Sequence, residues 1–291
     1  MPVQTQRQNI RLFDVQMMGL PEFTGVYLLQ GPSSVLVDAG TLASADALVD
    51  WLRDLGTPPR YVVITHAHHD HIGALDAILR AFGRDEVQVL ATPEGARRLR
   101  DPDGVNRVYG AEGLAAVDHV RVVEDGEELE LDGMQLTFFH TPGHSADSLA
   151  MYERVSDTLF PGDLPGDFLW GTTFLPPNAA ADFDEHAFRQ SMDRMMGIDA
   201  GCIALPHFGF FEGEAARRLL PAQLRRYEQW RDALLGAHAQ RRDQADVSAA
   251  VRTLLGGSRF ASMPAFEQVA DAFAAWCMMG YRSAGLVAGA E

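Results

Sequence analysis

Thr65-His66-Ala67-His68-His69-Asp70-His71 decides how the rest of the chain reads. Within it His66, His68, Asp70 and His71 form a His-x-His-x-Asp-His pattern. Three imidazoles and a carboxylate are costly to crowd together unless a cation holds them. Neutral imidazole nitrogen and carboxylate oxygen are good ligands for zinc and similar first-row divalent ions. A solvated histidine-rich loop would share the composition but not the setting. Here the preceding Arg60-Tyr61-Val62-Val63-Ile64-Thr65 is a β-branched run that reads as a buried strand, and residues 72–79 read as a helix start. A strand that ends in a ligand-bearing turn and enters a helix is where α/β folds place their chemistry.

Working outward, three more strands end in a similar way. Residues 134–140 deliver Thr141-Pro142-Gly143-His144-Ser145, residues 158–160 deliver Pro161-Gly162-Asp163, and residues 203–205 deliver Pro206-His207-Phe208-Gly209. Taken singly, His144 or His207 reads as a hydrogen-bonded core histidine, and Gly162-Asp163 as a turn. Four strand ends that each supply ligand-type residues are hard to explain by packing alone.

The remaining chain alternates strands and helices up to about residue 212. Residues 26–29 and 35–38 form a hairpin, 45–55 an amphipathic helix, 72–82 and 93–100 two further helices, and 87–91 a strand. Residues 101–118 read as an irregular surface excursion. Strands follow over 119–123, 128–131, 134–140, 148–152 and 158–160, then a helix over 184–196 and a strand over 202–205. Residues 164–182, with three prolines and the apolar Phe168, Leu169, Trp170, Phe174 and Leu175, give no pattern, and such a loop is usually functional or disordered. Beyond Glu212 only helices are expected, with Pro221 opening a new one and a break at Gly256-Gly257.

The 291 residues suffice for one large core or two modest ones. No apolar run approaches a membrane span and the polar N-terminus has no apolar signal core, so a cytoplasmic location is expected. A net charge of −16 disfavours nucleic acid and an anionic membrane surface, leaving a small-molecule substrate as the expected partner. A homodimer stays open. Cys202 and Cys277 are too few for a disulfide framework and are expected to be buried. All 24 basic residues are arginine, which removes any mechanism that needs a lysine ammonium.

Together these motifs resemble those of the metallo-β-lactamase-fold hydrolases, over roughly residues 20–210, in the glyoxalase II-like and lactonase-like branch with C-terminal helices. The resemblance implies an α/β fold, a four-layer αββα sandwich over residues 1–212 with a helical extension over 213–291. It implies two divalent ions, with zinc favoured and iron, manganese or cobalt as alternatives. Site one would be His66, His68 and His144; site two Asp70, His71 and His207; Asp163 would bridge, with Asp167 the runner-up. Asp38 matches the family acid that orients a ligand imidazole. His69 is expected to face away, and His119, His140, His186 and His238 receive no metal role.

The reaction implied is hydrolysis of a small ester, thioester or lactone by a metal-bridging hydroxide, with Asp70 orienting it or passing its proton on. Phe168, Trp170 and Phe174 are the candidate substrate-binding residues. Glyoxalase II enzymes follow the bridging acid with a Gly-Cys-Gly-Arg type segment and use lysine for glutathione; this chain has Leu164-Pro165-Gly166-Asp167-Phe168 there and no lysine. Many acyl-homoserine lactonases place a tyrosine three residues past the bridging acid, where this chain has Gly166, so Tyr109 or Tyr281 would have to substitute. Two alternatives are a mononuclear-iron persulfide dioxygenase on the same scaffold and a weakly catalytic ligand-binding protein.

Overall fold

A computed structural model describes residues 4–241 and 244–288. Two sheets face each other at its centre. The first holds seven strands in chain order: Gln6–Arg7, Ile10–Asp14, Gly25–Leu29, Val35–Val37, Tyr61–Val63, Gln88–Ala91 and Val120–Val122. Pairing is antiparallel as far as Val35–Val37 and parallel beyond it. The change follows from the connections: helices Ala45–Asp54, Leu75–Phe82 and Pro93–Arg98 carry the chain back to the same end of the sheet. The second sheet runs Gly209–Glu212, Cys202–Leu205, Thr158–Phe160, Leu149–Glu153, Met134–His140, Glu128–Leu131. Its one parallel pair, Thr158–Phe160 with Cys202–Leu205, is the pair joined through helix Glu185–Met196.

Side-chain alternation in the first sheet splits neighbours between two cores. Tyr27, Leu29, Val35, Val37, Val63 and Leu90 join Phe138, Met151 and Phe160 of the second sheet in one buried cluster. Their neighbours Val26, Leu28, Leu36, Val62 and Val89 pack instead with Leu48, Leu52, Leu75 and Ile78 of the outer helices. Strands buried on both faces carry the near-continuous apolar runs seen in the sequence. The layers are helix, sheet, sheet, helix, as the αββα reading expects.

Helices Glu214–Arg241, Gln244–Leu255 and Phe266–Ser283 complete the described chain. Leu220, Tyr227, Trp230, Val251 and Tyr281 belong to the same cluster as the inter-sheet residues, so these helices share the sandwich's core. The break expected at Pro221 does not occur: Pro221 lies inside one helix. A proline there costs roughly 3 kcal/mol. Burial of Ala216, Leu219 and Leu220 before it and Tyr227, Trp230 and Leu234 after it outweighs that cost.

Two loops are better ordered than their sequence suggests. Residues 101–118 contain helix Pro102–Asn106 and the turn Arg107–Tyr109, and the fully buried Asn106 donates from Nδ2 to the Ala67 carbonyl (2.8 Å) inside the histidine loop. Residues 164–182 contain a small hairpin, Asp167–Leu169 with Thr173–Leu175. Strand Gly209–Glu212 also went unread, because a ligand loop masks its start. Cys202 and Cys277 are free and buried. No described helix is long and apolar enough to cross a membrane.

Candidate metal centre

All the sequence-predicted ligands sit where strands end at one edge of the sandwich. The chain leaves strand Tyr61–Val63 at Ile64, whose N–H bonds the Leu90 carbonyl (2.9 Å), and turns at Thr65. Asp38, just past strand Val35–Val37, holds a left-handed backbone (φ 63°) that aims its carboxylate at this turn. It accepts from the Thr65 N–H (2.8 Å) and from Thr65 Oγ1 (2.9 Å), and lies 2.9 Å from His71 Nδ1. Gly73 lets the histidine loop close on its neighbour, since a Cβ there would stand 2.1 Å from the Leu42 nitrogen.

The ligand groups form two triplets, one of three rings and one of two rings with Asp70. His66 Nε2 lies 2.9 Å from His68 Nδ1, which lies 3.1 Å from His144 Nε2. Asp70 Oδ2 is 3.4 Å from His207 Nε2, and Asp70 Oδ1 is 3.7 Å from His71 Nε2. Between them, Asp163 Oδ2 is 3.7 Å from His66, 3.8 Å from His144, 3.4 Å from His71 and 3.5 Å from His207, each at Nε2. Outward ring nitrogens are tied to acceptors: His71 to Asp38, His144 Nδ1 to the Pro177 carbonyl (2.7 Å) and His207 Nδ1 to the Phe23 carbonyl (2.7 Å). Those acceptors fix the proton on Nδ1 and turn Nε2 inward.

This donor set fits a pair of divalent cations. Within the cluster His71 Nε2 and Asp163 Oδ1 are buried with no hydrogen-bond partner, an arrangement that is expensive unless something else bonds them. Burial, then repulsion from His71 and His68, drives His66 well below its ordinary value, and burial with His144 lowers His68 to about 3. Both are therefore neutral, the form that ligates metal. Burial opposes charge on His71 too, but Asp163, Asp70 and Asp38 outweigh it and raise the ring well above the ordinary range. His207 is likewise raised, with Asp167 and Asp163 overcoming burial. Those protons stand in for positive charge that a cation would supply on displacing them. Asp163 is held well below the carboxylate range: burial would raise it, but His71, His207 and His66 dominate.

Asp167 groups with Asp163 and His207 but not with the first triplet. Burial, against the pull of His207, pushes it up to about 7. Of the residues expected to bind substrate, none of Phe168, Trp170 and Phe174 lines the cavity of about 530 Å³ over the ligands. Phe168 packs on Phe211 beneath the Arg226 guanidinium, and Phe174 is buried against Trp230. Trp170 sits behind the wall, on Phe23 and Phe260, with its Nε1 donating to the Pro21 carbonyl. The hairpin folds these rings toward the helical extension, which competes for them as core.

Other residues take their place. Tyr109 lines the cavity, edge-on to His68 and stacked on His69 (ring centroids 6.0 Å apart), and accepts from the Ala181 N–H. His69 also lines it, outside the ligand groups and against Tyr109. Behind the ligands, buried Arg98 bonds Asp147 and Ser145, and Asp147 accepts from the Ala67 N–H (2.8 Å), tying the His66–His68 turn to the His144 turn. Asp147 lies in the same Gly-His-Ser-Ala-Asp run as His144, a signal the sequence held; Arg98 had none. His140 bonds the Val123 carbonyl, away from the ligands, and Tyr281 is buried in the core.

A model of the metallo-beta-lactamase superfamily matches residues 20–207. The metallo-beta-lactamase fold-containing protein ST1585 of Sulfurisphaera tokodaii is 27% identical over 224 residues, 72% of this chain and 81% of that one. The solved ST1585 structure covers 77% of this chain and 87% of its own at a TM-score of 0.61, with 23% identity, a likeness of fold alone. The acyl-coenzyme A thioesterase MBLAC2 of Gallus gallus is 29% identical over 221 residues, 67% of this chain and 76% of that protein. A hydroxyacylglutathione hydrolase of Shewanella halifaxensis is 27% identical over 154 residues, 51% of each chain.

Proposed function

This chain belongs to the metallo-beta-lactamase superfamily, and within it we propose a dinuclear metal-dependent hydrolase that cleaves an ester, thioester or lactone bond in a small molecule. One observation carries the reading: a single oxygen of Asp163 stands 3.4–3.8 Å from four inward-turned imidazole nitrogens, two from each triplet. Asp163 would thus be within reach of both ions. His66, His68 and His144 would hold one ion, Asp70, His71 and His207 the other. Zinc is favoured, and iron, manganese and cobalt also suit an all-nitrogen-and-oxygen set.

When bound, such a pair supplies Lewis acidity at the substrate carbonyl and a nucleophile at neutral pH. The protein's own groups position and dispose of the proton. Asp70 is the least enclosed of the three carboxylates Asp38, Asp70 and Asp163 and lines the cavity, so it would be the one to orient the attacking water or pass its proton on. Asp38 keeps the His71 ring fixed meanwhile. The apolar walls exclude bulk water from the carbonyl. The thioesterase and hydroxyacylglutathione hydrolase among the relatives support the bond class. The segment after Asp163 and the lack of lysine count against glutathione recognition of the glyoxalase II type.

Elemental analysis of protein purified without chelator is expected to find about two divalent ions per chain. Zinc-, manganese- and iron-loaded protein screened against thioesters, lactones and aryl esters is expected to hydrolyse at least one class. A single iron with oxygen consumed on a persulfide would replace this reading with a sulfur dioxygenase. Tight ligand retention without turnover would replace it with a binding protein.

A further inference from the structure

The cavity over the candidate metal centre keeps its ionisable groups on one side, the floor. Its ionisable lining is Asp70, Asp163, Asp167, Tyr109 and the rings of His68, His69, His144 and His207. No arginine among the described residues lines it, and the chain has no lysine. Above that floor the wall is apolar: Leu20 and Phe23 on one side, Leu255, Phe260, Val269 and Trp276 of the C-terminal segment on the other. Gln268 is the one uncharged amide among the lining residues.

A carboxylate, phosphate or sulfate held against the apolar wall would shed its hydration and meet no arginine or lysine among the described residues. An apolar chain or ring gains instead, by about a factor of four in affinity for each methylene buried. A volume of about 530 Å³ lies within the range that encloses a small-molecule ligand.

We infer that the substrate is an electrically neutral ester, thioester or lactone bearing a medium-chain acyl or aryl group, which the cavity recognises by burial and without any anionic handle. The bond rests on the hydrolase reading; the group rests on the cavity alone. It follows that a phosphate- or carboxylate-bearing carrier has to leave its charged part outside the cavity, so a neutral thiol or alcohol leaving group is preferred to one with an anionic tail.

Two measurements test this separately from hydrolysis. N-octylacetamide, a neutral probe with no readily cleaved bond, is titrated into metal-loaded protein and compared with 8-acetamidooctanoate, of the same reach but ending in a carboxylate. The neutral probe is expected to bind at least about tenfold more tightly. Ala272→Arg, at an exposed lining residue of helix Phe266–Ser283, should narrow or reverse that preference with metal content unchanged. On hydrolysed substrates, kcat/KM should rise by about threefold or more per methylene from acetyl to octanoyl and drop when the acyl chain ends in a carboxylate. Equal binding of the two probes, or a flat chain-length series, overturns the inference while leaving the hydrolase reading intact. Selective binding of the neutral probe with no hydrolysis of any ester supports the inference and overturns the hydrolase reading.

Discussion

The floor and the wall of this site are built on different principles. On the floor, each ligand ring is held from behind: His71 by Asp38, His144 by the Pro177 carbonyl, His207 by the Phe23 carbonyl, and the His66–His68 turn by Asp147. On the wall, Phe23, Phe260, Phe273 and Trp276 meet edge to face with nothing fixing them but contact. Directional bonds set a geometry that tolerates no substitution. Contact sets only a volume, which many combinations of apolar residues fill. The floor should therefore fail abruptly when altered and the wall gradually.

The sharpest break is at Asp163, the oxygen common to both triplets. Asp163→Ala should lower hydrolysis by about 10³-fold and leave less than half the metal in elemental analysis, with circular dichroism unchanged. Near-full activity would mean that Asp163 is not shared between two ions. One step back, Asp38→Ala removes the acceptor behind His71 without touching a triplet nitrogen. Metal affinity, followed by competition with a chelator, is expected to weaken about 10- to 100-fold, while kcat at saturating metal changes less. Loss of kcat with unchanged metal affinity would place Asp38 in the reaction instead of behind it.

The same contrast explains what the sequence made legible. Ligand chemistry admits few residue types, so His66, His68, Asp70, His71, His144, Asp163 and His207 stood out at strand ends, and the structure gathers all seven. The two-sheet core was legible too, because strands such as Val35–Val37 are buried on both faces and read as unbroken apolar runs. Tyr109 was named there only beside Tyr281, and its place over His68 was not legible, since the turn that carries it is short and the nearby anchor, Asn106 on the Ala67 carbonyl, is a contact over 39 residues with no local signature. Pro221 misled because local propensity was weighed without the tertiary burial on both sides of it. Phe168, Trp170 and Phe174 lie outside the cavity lining because an apolar loop near a site has two places to bury its rings, and here the helical extension takes Phe174 and Phe168.

Two tryptophans give the finest test of the contrast. Trp276 lines the cavity and meets Tyr109 at 5.9 Å, whereas Trp170 stands one ring behind, on Phe23 and Phe260. Trp276→Ala strips a substrate-facing surface, and KM is expected to rise by roughly tenfold, the loss of one aromatic wall, with kcat and metal content little changed. Trp170→Ala removes the bond to the Pro21 carbonyl and the support of two rings, so it should cost about 1–2 kcal/mol in stability. Its effect on KM, transmitted only through Phe23 and Phe260, should stay within about threefold. Steady-state kinetics and thermal unfolding of the two variants side by side separate the cases. If Trp170→Ala raises KM as much as Trp276→Ala while leaving stability untouched, the hairpin is part of the wall after all, and the boundary between a ring that touches substrate and one that props its neighbour has been drawn one layer too far in.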